Sequence, residues 1–116
     1  MVLFMTIEEL EKSLLNACKK PETTFKNVEK IITAMKKHFN LEYEKAGKGS
    51  HYVIRHDILK DETMLSDFKL GYIRDVNQYG ELTVSTVSGR YVKLVYLKNL
   101  QKVYNLLKQA KTEGLL

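Results

Sequence analysis

A chain of 116 residues with 44% hydrophobic and 28% charged side chains has material for one modest core, and one proline with six glycines leaves most of it to regular elements. A single cysteine, Cys18, excludes an intramolecular disulfide framework and a paired-thiolate metal site, which makes a reducing cytoplasm the expected compartment. The net charge is +5, no stretch approaches the length of a membrane span, and the opening "MVLFM" is too short for a signal-peptide core.

In chain order, "TIEELEKSLLNAC" predicts a first helix, with Thr6 and Glu9 spaced as a capping box. Ile7, Leu10, Leu14, Ala17 and Cys18 fall on its apolar stripe. "KKPETT" breaks the pattern, because Pro21 disfavours helix in the residue before it and a threonine can cap the next one. A second helix then sets Phe25, Val28, Ile31, Ile32, Met35 and Phe39 on one face. "LEYEK" and "HYVIRH" alternate as two strands around "KAGKG", a predicted hairpin. "ILKDETMLSDF" reads as a loop with one helical turn at most, and "KLGYIRDV" and "ELTVSTV" as further strands around the turn residues Asn77 and Gly80. A last helix follows "SGRYVKLVY", with Leu97, Leu100, Val103, Tyr104 and Leu107 inward and Lys98, Lys102, Asn105 and Gln109 outward. The order predicts an α+β sandwich, a sheet with helices on one side. From Phe39 onward it follows the α-β-β-β-α succession of double-stranded-RNA-binding domains, by analogy of element order alone.

Charge is concentrated at one end. Residues 82–112 carry six basic side chains and no acid, whereas residues 1–81 carry 13 of each sign. A basic end of this kind suits a polyanion or an acidic protein partner, and equally suits a solvated helix face.

The strand period places His51, Val53 and Arg55 on one face of "HYVIRHD" and Tyr52, Ile54 and His56 on the other. Tyr52 and Ile54 fit a helix-packed core, so His51 and Arg55 are expected on the open face. There an arginine grips a phosphate by paired hydrogen bonds while an imidazole moves a proton near neutral pH. Gly47 and Gly49 allow close backbone approach to a sugar–phosphate chain. His38, His51 and His56 lack a carboxylate at ligand spacing, so no metal or other cofactor is expected. Ser50, Ser85 and Ser88 have no nucleophile-elbow context, and "GKGS" lacks the length and following helix of a phosphate loop. Tyr72, Tyr79, Tyr91 and Tyr96 are candidates to stack on bases.

Three stretches, "PETTFKNVEKIITAM", "LEYEKAGKGSHYVIRHD" and "LTVSTVSGRYVKLVYLKNLQKVYNLL", together resemble the HicA family of bacterial toxins, with "KGSHY" the most specific piece. The resemblance runs from about Pro21 to Gln109, which makes residues 21–116 a HicA-like core and residues 1–20 an accessory helix within one domain. It implies a double-stranded-RNA-binding-like fold and a metal-independent endoribonuclease acting on messenger RNA. The partner it implies is a neutralising HicB-like antitoxin. The family's catalytic histidine corresponds to His51, with Lys45, Lys48, Gly49, Ser50 and Arg55 around the RNA and Lys98 and Lys102 extending the basic track. Two features depart from the family. Ser88 stands where a second imidazole is expected, and residues 58–80 are longer than in compact members, with room for a fourth strand. A non-catalytic RNA-binding module and a purely protein-docking domain are the alternatives.

Overall fold

Helix α1 (Ile7–Ala17) begins at the capping box. The Thr6 hydroxyl accepts from the Glu9 N–H at 3.1 Å, and the Glu9 carboxylate accepts from the Thr6 N–H at 3.1 Å. Glu8 and Glu9 in the first turn complement the positive end of the helix dipole. The computed structural model describes residues 5–46, 51–60, 77, 79–114 and 116. Within these, α1 is followed by β1 (Glu22–Thr24), α2 (Phe25–Phe39), β2 (Glu42–Ala46) and β3 (His51–Arg55). A 3₁₀ turn over Asp57–Lys60 precedes β4 (Glu81–Val87), β5 (Tyr91–Lys93) and α3 (Leu94–Thr112).

The described residues form an α+β fold with three helices and a five-stranded sheet, ordered β1-β5-β4-β3-β2 and antiparallel throughout. Two strands went unread in the sequence. β1 and β5 are three residues each, pair with one another, and run directly into α2 and α3. Their helix starts are tied crosswise. The Phe25 N–H donates to the Arg90 carbonyl at 2.7 Å, and the Leu94 N–H to the Pro21 carbonyl at 3.0 Å. Thr24 makes no side-chain cap, because this backbone bond already serves one orphan donor of α2. The expected strand "KLGYIRDV" lies outside the described residues.

One core joins all three helices to one face of the sheet. Leu10 and Leu14 of α1, Ile31, Ile32 and Met35 of α2, and Leu97, Leu100 and Leu107 of α3 bury against Ile54, Leu82, Val84 and Val92. Phe25 stacks on Tyr52 at 4.2 Å between ring centroids, and Tyr52 on Tyr43 at 5.9 Å. The alternation of β3 follows the sequence expectation, with Tyr52 and Ile54 buried and His51, Val53 and Arg55 turned the other way. Among the described residues no helix covers that second face. None of the described helices is long and apolar enough to cross a membrane.

Candidate functional site

The open face is built from cross-strand rows fixed by register. On one row His51 pairs with Ser85 of β4 and Ala46 of β2. Thr86 pairs with Val92, so Lys93 falls one position further, beside Ser85, and it pairs in turn with Glu22. Alternation from the buried Val92 turns Lys93 outward, where it is exposed. A second row joins Val87, Tyr91 and Thr24, and both Val87 and Tyr91 keep about two-fifths of their surface in solvent. A third row joins Glu42, Arg55 and Glu81 at the opposite end of the strands.

His51 is exposed, and its Nδ1 lies 2.8 Å from the Ser85 hydroxyl. That bond orients the ring, and among the described residues no hydrogen bond engages Nε2. If the hydroxyl donates, Nε2 carries the proton of the neutral ring and only donates a hydrogen bond; a general acid requires the imidazolium, in which Nδ1–H donates to Ser85. If Nδ1–H donates, Nε2 presents a lone pair and is a base. With Nδ1–H donating to Ser85, one nitrogen is oriented and Nε2 exchanges a proton between its neutral and charged forms. The sequence presented Ser85 only as one of several hydroxyls; its register opposite His51 is the signal that singles it out. In the sequence Lys93 is one cation of the basic end, and pairing across β4 and β5 brings it to this row.

Arg55 has a different setting. Its Nε donates to Glu81 at 2.9 Å and its Nη2 to the same carboxylate, while Nη1 reaches Glu42 at 3.0 Å and Nη2 approaches Glu44 at 3.4 Å. The bonds to Glu81 and then Glu42 push the guanidinium pKa further up. The Glu81 carboxyl is held below its ordinary range by Asn77 and by Arg55. Three carboxylates around one guanidinium make this end of the face acidic, and the arginine fork is already occupied.

The other expected residues are spread over the molecule. Lys45 pairs with Tyr52 and therefore lies on the helix-facing side of the edge strand, opposite His51. Lys98 and Lys102 are exposed on α3 in the helical layer. Lys98 is near enough to Cys18 to oppose the rise that burial gives the thiol pKa. Lys48, Gly49, Ser50 and Tyr72 lie outside the described residues. Ser88 sits in the β4–β5 turn rather than on a strand, with φ +55°, followed by Gly89 at +69°. Tyr96 is half-buried against the core, and Tyr79 is exposed in the turn before β4.

The remaining histidines have structural partners. His38 Nε2 lies 2.6 Å from the Met5 carbonyl, joining α2 to the start of α1. His56 Nδ1 accepts the Ile58 N–H at 3.0 Å and so caps the 3₁₀ turn. Burial pushes the His56 pKa down, against the opposing pull of the Phe39 carbonyl and Asp57. Among the described residues no group of three or more His, Cys, Asp or Glu side chains is placed to hold a metal ion.

Comparison of the chain with family models, curated proteins and solved structures finds no match.

Proposed function

We propose that the open face of the sheet binds single-stranded RNA and that His51 moves a proton during cleavage of a phosphodiester bond. The carrying observation is the exposed imidazole, oriented through Nδ1 by Ser85 and lying on one row with Lys93. A neighbouring 2′-hydroxyl gives up its proton to a base and attacks phosphorus. The 5′-oxygen of the next nucleotide leaves and takes up a proton, so the products are a 2′,3′-cyclic phosphate and a 5′-hydroxyl. His51 Nε2 serves one of these two transfers, an effect typically worth about 10²–10⁴ in rate. Lys93 offsets the negative charge that grows on the non-bridging oxygens. Tyr91, exposed beside this row, offers a ring for base stacking, the sequence-tolerant way of holding a single strand.

The acidic cage around Arg55 repels a phosphate backbone. RNA on this reading therefore crosses the His51–Lys93 end of the sheet, and Arg55 serves to hold β2, β3 and β4 together. We read α2, β2, β3, β4 and α3 as the α-β-β-β-α core of a double-stranded-RNA-binding-like fold. With it goes the HicA-like assignment: the toxin of a toxin–antitoxin pair, silenced by a HicB-like protein.

The test is cleavage of a mixed-sequence single-stranded RNA by the purified chain in the presence of a chelator. The wild type is expected to yield cyclic-phosphate ends, and His51→Gln to lose at least about a hundredfold in rate. Equal cleavage by both would remove His51 from the reaction. One observation favours a second reading, an RNA-binding module without catalysis. No other imidazole stands beside His51, since His38 and His56 are held elsewhere. Salt-sensitive binding with RNA left intact would decide for it.

A further inference from the structure

On the helical side of the molecule, α1, α2 and β1 enclose a cleft of about 230 Å³. Its polar lining is Ser13, Asn16, Lys20, Thr23, Asn27 and Lys30, and among the described residues no acidic side chain contributes to it. Thr23 is its most buried polar member. It pairs with Val92, which places it on the helix-facing side of the sheet, and it is 8% exposed. Its hydroxyl oxygen is shut off from solvent and has no hydrogen-bond partner among the described residues. A buried hydroxyl in that state is costly, and the cost is recovered when something in the cleft bonds to it. Rotation about χ1 exchanges the hydroxyl with the methyl group, which lets Thr23 turn its oxygen toward an occupant.

We propose that this cleft binds phosphate or a small phosphate monoester. The lining supplies two ammonium groups, two carboxamides and two hydroxyls, a set rich in donors around a ligand whose oxygens only accept. A cation would meet Lys20 and Lys30 with nothing to offset them. An apolar ligand would leave Thr23 as unsatisfied as before. The volume exceeds that of a phosphate ion, leaving room for an ester substituent. The site lies across the sheet from His51 and does not rest on the RNA reading.

The experiment is a titration of the ¹⁵N-labelled full chain with inorganic phosphate, adenosine 5′-monophosphate and adenosine. Both phosphates are expected to give saturable shifts of the amides at Ser13, Asn16, Lys20, Thr23, Asn27 and Lys30, and adenosine none. Lys20→Gln and Lys30→Gln, each made singly, are expected to weaken binding by about threefold or more, whereas Lys36→Gln, the same charge change outside the cleft, leaves it intact. Thr23→Val separates a ligand contact from a packing role. It should raise the melting temperature of the free protein while weakening phosphate binding several-fold. Shifts that never saturate, a loss equal in Lys36→Gln, or adenosine binding as well as its monophosphate would each overturn the proposal.

Discussion

A solvent-facing histidine acquires a role only when something fixes its ring, and at His51 that partner is the Ser85 hydroxyl. Ser85 touches the imidazole at Nδ1, which on the proposed function makes it a positioning residue. Ser85→Ala should lower RNA cleavage by roughly tenfold, a modest part of the full acid–base contribution. RNA affinity should be unchanged, so that the loss falls on the rate alone, and Ser85→Thr should restore it. An unaltered rate in Ser85→Ala would reduce the contact to packing. His56 illustrates the opposite case, an imidazole kept neutral because its Nδ1 lone pair receives the Ile58 N–H. Burial lowers its pKa in the folded protein, so the unfolded chain takes up the proton first. Stability at this site is complete above about pH 7 and falls as the pH drops through the ordinary histidine value of about 6.5. Urea unfolding at pH 7.5 and 5.5 should show that loss in the wild type. His56→Asn, which keeps an acceptor but does not titrate, should lose less.

Among the elements, α1, α2 and α3 were legible because their apolar stripes run for several turns, and the β2–β3 alternation because one face is buried and the other is not. β1 and β5 were not. Three residues are too few for a period, and Thr23 and Thr24 read as well for a cap as for a strand. They exist because the helices that follow them need their first N–H groups bonded, and each strand brings the other's carbonyl into place. The open-face row was hidden for the same reason, since Lys93 meets Ser85 only through β5. The turns carry their own stresses. At Gly80, with φ +74°, an added Cβ would meet the His56 carbonyl oxygen at 2.6 Å, so Gly80→Ala should cost roughly 1–3 kcal/mol in chemical unfolding. Ser88 is exposed and holds φ +55°, and Ser88→Gly should leave stability equal or raise it by up to about 1 kcal/mol.

Across the whole molecule, the excess positive charge of residues 82–112 is divided between the two sides of the sheet rather than gathered into one track. Lys93 belongs to the open face, while Lys98, Lys102 and Lys108 lie on α3, where Lys108 and Tyr104 both bond Glu11 of α1. That contact holds the Glu11 carboxyl below its usual range and locks α1 to α3, which accounts for part of the basic end as structure. The proposed function therefore requires RNA on the side of the sheet that carries His51 and Lys93. Photo-crosslinking decides it most directly, using a 4-thiouridine oligonucleotide made resistant to cleavage by 2′-O-methylation, with adducts mapped by mass spectrometry. Adducts are expected on peptides holding His51, Tyr91 and Lys93, and their yield should fall in Lys93→Gln. Adducts confined to the α3 peptide with Lys98 and Lys102 would contradict the account.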